Sequence, residues 1–325
     1  MRRVVLHEFG SYANLQLEEL PDPEPGVGEV LVAIEAGGVG FVDTLCVRGV
    51  YQALPSLPWV PGCELAGHVV GLGDDVAGVA VGDRVLATSF AGSFRSHAVL
   101  GAHEVVPIPG DLTAGQAAGL VASYGTVLYA LTRRITVSPG EWVVVLGAGG
   151  GVGLATVDLA RLLGARVVAC ASSDEKLALA TRAGAEATIS YEDPGVDLKA
   201  AIREVTGGGA DVVVDPVGGD KSGPAFRALR FEGRYVVVGF ASGVIPDVPL
   251  NQVLLNDRTV VGIDWGYWAG RRPEANAGLL TELFELVASG RLCPAEPQAY
   301  PLEAAARALD DLEHRRVAGK VVLTP

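Results

Sequence analysis

The run Gly147-Ala148-Gly149-Gly150-Gly151-Val152-Gly153 has the residue types and spacing to hold a pyrophosphate. It follows the apolar segment Trp142–Leu146 and precedes a second apolar stretch from Leu154 to Leu163, a pattern that reads as strand, glycine turn and helix. Gly147, Gly150 and Gly153 recur at intervals of three. Glycines lack the Cβ atoms that hold a phosphate away from backbone N–H groups, and the helix that starts here points its positive end at the turn. Ala148, Gly149, Gly150, Gly151 and Val152 are the expected phosphate-facing positions. A tight βα turn with no ligand is the alternative for this segment taken alone.

The next strand, Arg166–Cys170, is followed by Ala171-Ser172-Ser173. Folds that take NADH place an acidic residue at this point to accept hydrogen bonds from the ribose 2′-OH. Here two hydroxyls occupy that place, and Lys176 follows one helical turn later. A carboxylate repels a 2′-phosphate, whereas hydroxyls, backbone N–H groups and an ammonium hold one. The expected cofactor is therefore NADPH, with Ser172, Ser173 and Lys176 on its phosphate. The competing reading makes the serines a helix N-cap before Asp174 and Lys176 a solvated surface residue.

These residues need a frame. From Trp142 the chain alternates strand and helix, with strands expected at Trp142–Leu146, Arg166–Cys170, Thr188–Ser190, Asp211–Asp215, Arg234–Val238 and Thr259–Trp265. Such alternation implies a doubly wound parallel sheet. The first third is strand-rich instead, at Arg3–Leu6, Glu29–Ile34, Glu64–Gly71 and Arg84–Ala87, with Pro/Gly punctuation between strands. A helical pattern covers Thr113 to Arg134. The tail reads as helices over Asn276–Ser289 and Leu302–Glu313 and a last strand at Lys320–Leu323.

The 325 residues suit two domains, and the 49% apolar content is enough for two cores. A net charge of −13 argues against nucleic acid and anionic membranes as partners. The four cysteines, Cys46, Cys63, Cys170 and Cys293, form no CxxC pair and read as reduced thiols. Only three apolar residues follow Met1-Arg2-Arg3, too few for a signal-peptide core, and the uncharged run from Trp142 to Val157 is too short and glycine-broken to span a bilayer. The expected location is cytoplasmic.

Segments along nearly the whole chain resemble the medium-chain dehydrogenase/reductase superfamily, and within it the zinc-free quinone oxidoreductase (ζ-crystallin-like) branch. They are Gly38-Val39-Gly40-Phe41-Val42-Asp43-Thr44, Pro61-Gly62-Cys63-Glu64-Leu65-Ala66-Gly67, Val81-Gly82-Asp83-Arg84-Val85, the glycine turn, Asp215-Pro216-Val217-Gly218-Gly219, Val238-Gly239-Phe240 and Gly319-Lys320-Val321-Val322-Leu323. The resemblance implies a Rossmann domain, residues 123–265, set between two parts of a GroES-like catalytic domain, residues 1–122 and 266–325, with the active site in the cleft. It also implies that Tyr191 and Arg315 or Arg316 flank the 2′-phosphate. Thr126, Val217, Gly239, Phe240 and Trp265 would line the nicotinamide.

Zinc-dependent members of the superfamily use Cys, His and Cys ligands. By resemblance those places hold Gly40, Cys63 and Ala122 here, and the four-cysteine structural lobe is absent. No metal is expected, since a catalytic zinc needs three protein ligands and an open position. Without a Lewis acid, the favoured acceptors are already electrophilic: quinones and α,β-unsaturated carbonyls. Tyr51 matches a tyrosine near the substrate and is the candidate hydrogen-bond donor to it. Phe41, Tyr51 and Tyr124 are the candidate substrate pocket. The branch commonly carries Asn where Gly40 stands, which widens the expected pocket. An enoyl-thioester (acryloyl-CoA-type) reductase and a non-catalytic NADPH-binding sensor or structural protein remain as alternatives. The valine-rich strand Thr259–Ile263 is expected to pair with its copy across a dyad in a homodimer.

Overall fold

The computed structural model describes residues 1–88 and 92–325. In chain order the elements are β1 (Arg2–Leu6), β2 (Leu15–Glu19), β3 (Glu29–Val39), α1 (Phe41–Val47), β4 (Glu64–Leu72), β5 (Arg84–Thr88), β6 (His97–Gly101), β7 (Val105–Pro107) and α2 (Ala114–Ala118). There follow α3 (Thr126–Tyr129), β8 (Trp142–Leu146), α4 (Gly151–Leu162), β9 (Arg166–Ala171), α5 (Asp174–Arg182), β10 (Ala187–Ser190), α6 (Leu198–Val205), β11 (Ala210–Asp215), α7 (Ser222–Arg227), β12 (Leu229–Val237), α8 (Leu250–Leu254) and β13 (Thr259–Gly262). The last elements are α9 (Trp265–Arg271), α10 (Pro273–Ala288), β14 (Gln298–Pro301), α11 (Ala305–Glu313) and β15 (Val321–Thr324).

Contacts divide these into two compact units, Met1–Ala122 with Pro294–Pro325, and Ser123–Cys293. The expected return to the first unit at residue 266 thus differs from the division at 293/294. The reason is α10. It packs on α3 and α9, buries Leu279 and Leu283 completely, and Asn276 accepts a 3.0 Å hydrogen bond from the Trp265 indole.

The second unit is built on a six-stranded sheet in the order β10-β9-β8-β11-β12-β13, parallel throughout. The strand order reverses between β8 and β11, the place where doubly wound sheets open a crevice at the carboxyl ends of their strands. Strands buried on both faces need apolar residues at every position, and β8 (Trp-Val-Val-Val-Leu) has them. The strand expected over Thr259–Trp265 stops at Gly262, because Asp264 accepts the Tyr267 N–H and caps helix α9 beginning at Trp265.

The first unit is centred on a seven-stranded sheet ordered β14-β15-β3-β4-β5-β7, with β6 also on β3. Its chain-distant pairing is β15 against β3, with Val321 opposite Val39. The helical pattern over Thr113–Arg134 is not one helix. Two five-residue π-helical segments, Val121–Gly125 and Ala130–Arg134, flank α3. Such widened turns are uncommon and often mark functional sites. Among the described residues no helix is long and apolar enough to cross a membrane.

Candidate functional site

The glycine turn lies between β8 and α4 at the strand-order reversal, and Gly150 is the N-cap of α4. Three of the glycines have packing reasons of their own. A Cβ on Gly153 would sit 2.1 Å from the Gly147 carbonyl oxygen, so only hydrogen fits where the helix crosses the turn. Gly147 has φ +59°, and a Cβ there would lie 2.7 Å from Val217 Cγ2. A Cβ on Gly149 would meet the Lys176 Cβ at 2.3 Å. Gly150 differs: its Cβ would find only the Gly147 oxygen at 3.6 Å, an ordinary contact. The turn is therefore pressed together by its own chain, by Val217 and by the Lys176 stem.

Lys176 and Ser172 are in contact. The Lys176 Nζ donates to Ser172 Oγ at 3.4 Å, while its stem lies against Gly149. Ser173 takes the capping role, accepting the Lys176 N–H at 3.5 Å. Ser173 thus has the N-cap role that the competing reading gives the pair. Asp174 and Glu175 are exposed in the first turn of α5, where the helix dipole favours them. No acid stands at Ala171, which is buried. Tyr191 is buried at the end of β10, its N–H on the Ala171 carbonyl at 3.1 Å. Lys221, which sequence reasoning passed over, donates to the Tyr191 carbonyl at 3.3 Å and lies 5.4 Å over its ring. Its only signal in the chain was a lysine following the glycine pair of the Asp215–Gly219 segment.

Val217, Gly239 and Phe240 come together at the carboxyl ends of β11 and β12. The Ala241 N–H bonds the Pro216 carbonyl at 3.1 Å and the Ser242 N–H bonds the Val217 carbonyl at 2.8 Å, so the two loops are strapped to each other. Thr126 begins α3 directly after the first π-helical segment. Trp265 is half-buried, and a Cβ on Gly125 would touch its ring at 3.1 Å. Tyr124 is buried, and its hydroxyl donates to Asp158 at 3.4 Å on α4. Burial, then the Asp158 carboxylate, drives its phenol pKa far up. Within its unit Tyr124 therefore works as a hydrogen-bonded packing residue.

The remaining candidates belong to the first unit. Phe41 opens α1 and is half-buried, Tyr51 is half-buried in the loop after α1, and Arg315 follows α11 with φ +58°. Arg316 is ion-paired to Asp310 and Asp311.

Gly40, Cys63 and Ala122 surround two buried carboxylates. Asp43 accepts the N–H of Gly40 at 2.8 Å and of Gly62 at 2.9 Å. Glu64 accepts the N–H of Ala122 at 2.9 Å and the Lys320 ammonium at 2.5 Å. Glu64 lies where Gly38 leaves room, since a Cβ on Gly38 would sit 2.5 Å from Glu64 Cγ. Burial, reinforced by the charges of Asp43 and Glu64, pushes the Cys63 thiol pKa far up. A thiol held protonated is a poor metal ligand. Among the described residues no three His, Cys, Asp or Glu side chains are grouped to hold a metal ion.

Burial also raises the Asp43 carboxyl to about 6, against the pull of its two N–H donors. The sign follows. The folded chain holds this proton more tightly than the unfolded chain, so the stability Asp43 contributes falls as pH rises from about 4 to about 6. The expected result is that the unfolding free energy of the wild type, minus that of Asp43→Asn, shrinks across this window. A difference that is flat with pH in urea titrations would contradict it.

The architecture matches known families. Residues 26–145 match the alcohol dehydrogenase GroES-like domain, and residues 151–283 match the zinc-binding dehydrogenase family. Quinone oxidoreductase-like protein 2 of Bos taurus is 36% identical over 95% of this chain and 89% of its own length. Quinone oxidoreductase 1 of Escherichia coli is 34% identical over 99% of both chains. The crystal structure of Escherichia coli quinone oxidoreductase complexed with NADPH superposes with a TM-score of 0.86 at 32% identity, covering 100% of each chain. The Rossmann sheet and the GroES-like unit together define a medium-chain dehydrogenase/reductase. Within that superfamily the chain belongs to the quinone oxidoreductase branch, a family of oxidoreductases.

Proposed function

We propose that the protein is an NADPH-dependent, zinc-independent reductase of quinones or α,β-unsaturated carbonyls. The observation that carries the reading is Lys176. Its stem packs on Gly149 and its ammonium reaches Ser172, so one side chain would join the glycine turn to the proposed 2′-phosphate site. The NADPH complex of the Escherichia coli relative supports the same cofactor.

The residues fit the cofactor. The Gly147–Gly153 turn would hold the pyrophosphate, Ser172, Lys176 and Tyr191 the adenosine phosphate, and Thr126, Val217, Gly239, Phe240 and Trp265 the nicotinamide. When bound, NADPH supplies a hydride. The chain's own contribution is to exclude water, orient the acceptor and donate a hydrogen bond to the oxygen that gains charge, a role proposed for Tyr51. The zinc-ligand places do not fit a metal. Gly40 and Ala122 carry no ligand atom, Cys63 holds its proton, and the cation beside Glu64 is Lys320. Acceptors that need no Lewis acid follow from this.

Absorbance at 340 nm with a panel of quinones, enals and enoyl thioesters tests the reading. Oxidation of NADPH by a quinone or an enal, insensitive to chelators, is expected. Faster turnover with NADH, or a stoichiometric metal by elemental analysis, would overturn it. Lys176→Ala is expected to cut the NADPH-over-NADH ratio of kcat/KM by about tenfold or more, the effect of losing a charge-assisted phosphate contact. An unchanged ratio would remove Lys176 from the phosphate site.

A homodimer is part of the proposal. Strand β13 is the edge of its sheet and exposes Val260. The preceding α8 exposes Leu250 at 77% and Leu254 at 76%, followed by Leu255 at 70%. Exposed apolar side chains beside an unpaired edge invite a second copy. Light scattering is expected to give twice the chain mass for the wild type and a single chain mass for Leu254→Asp with Val260→Lys. A wild-type monomer would refute this part.

A further inference from the structure

Asp215 ends β11 and is 2% exposed. Its Oδ1 accepts two backbone N–H groups, from Val217 at 2.7 Å and Gly218 at 2.8 Å. Its Oδ2 accepts the Ser222 hydroxyl at 2.5 Å and the Tyr235 hydroxyl. Four donors on one buried carboxylate fix its orientation completely. Its backbone carbonyl accepts the N–H of Val238 at 2.9 Å and of Gly239 at 3.4 Å. Asp215 therefore grips both loops at the strand ends, the one that carries Val217 and the one that carries Gly239 and Phe240. The chain turns through φ +73° at Gly218 and φ +67° at Gly219, so the first loop holds a shape that most side chains resist. Val217 in turn presses on Gly147 of the glycine turn.

We infer that Asp215, oriented by Tyr235 and Ser222, is the positioning residue for the nicotinamide half of the cofactor site, acting through the Val217 and Gly218 amides. The inference rests on the NADPH reading above. Asp215 touches no reacting atom. It sets where the loop that carries Val217 stands, and with it the angle at which the nicotinamide ring meets an acceptor.

Calorimetric titration of two ligands separates this role from a general loss of structure. The fragment 2′,5′-ADP occupies only the adenosine half, and NADPH occupies both. In Asp215→Ala the 2′,5′-ADP Kd should stay within about twofold of wild type, while NADPH weakens by about tenfold or more, the loss of two hydrogen bonds. Asp215→Asn keeps an acceptor oxygen for the amides and should recover most of the NADPH affinity. Tyr235→Phe removes only an orienting partner, and about threefold weakening for NADPH alone is expected. Hydrogen exchange at the Val217, Gly218 and Gly219 amides should quicken in the Ala and Phe variants before any ligand is added. Wild-type NADPH affinity in both, or parallel weakening of the two ligands, would overturn the inference. If Asp215→Ala does not fold, Tyr235→Phe decides by the same two titrations. A wild type that fails to bind 2′,5′-ADP would instead refute the NADPH reading, and this inference with it.

Discussion

Lys320→Met will destabilise the first unit by about 3–5 kcal/mol, the cost of leaving one member of a buried ion pair without its partner. Glu64 is 2% exposed and the Lys320 side chain 14%, so neither charge has water to fall back on. Burial pulls the Lys320 pKa down, but the charge and hydrogen bond of Glu64 outweigh it and the net shift is upward. With the folded pKa above the unfolded one, the contribution is complete at neutral pH and is lost only in alkali as pH rises through that value. Methionine keeps the stem volume and removes the ammonium, which strands the carboxylate beside the Ala122 amide. The double variant Lys320→Met with Glu64→Gln should recover at least half of the loss, because a glutamine oxygen still accepts that amide and no charge is left buried. Denaturant titration coupled to hydrogen exchange over residues 60–70 and 318–325 reads the effect in the right unit. A loss below about 1 kcal/mol for the single change would show that the pair is solvated.

That pair also shows where the sequence stops being legible. Glu64 and Lys320 are 256 residues apart, and nothing local in either segment announces the other. The same limit applies to the whole first unit. Its sheet is closed by β15 on β3 and lined by short strands such as Val105–Pro107, which carry little pattern of their own. The second unit was easier to read because its central strands carry apolar runs, Trp142–Leu146 throughout and Val167–Ala171 and Val212–Val214 in part, and their neighbours follow through helical crossovers. The π-helical segments around Thr126 escaped for a different reason. Their apolar residues still fit an ordinary helical period, so the widened turn leaves no mark in the pattern. In the candidate site, Ser172 and Lys176 were legible because their partners lie within one helical turn. Asp215 stood in view inside a recognised segment, but its task depends on Tyr235, 20 residues on in the next strand.

Gly153→Ala will cost about 1–3 kcal/mol in stability and abolish measurable NADPH binding, whereas Gly150→Ala will leave stability within about 0.5 kcal/mol of wild type. Both residues belong to the same glycine-rich turn, so composition alone ranks them equally. The geometry does not. The added methyl at 153 would stand 2.1 Å from the Gly147 oxygen and 2.7 Å from the Ala148 Cα, and both neighbours are backbone that cannot rotate aside. Either α4 must lift away from β8 or the turn must open, and each movement takes the amides out of register with a pyrophosphate. At 150 the nearest atom is 3.6 Å away, and φ is −94°, which any L-residue adopts. Thermal unfolding and NADPH fluorescence titration of the two variants side by side separate helix-to-strand packing from mere backbone freedom. Equal stability losses at the two positions would mean that the turn needs glycine for flexibility, and that the close approach of helix to strand at Gly153 is not what fixes the site.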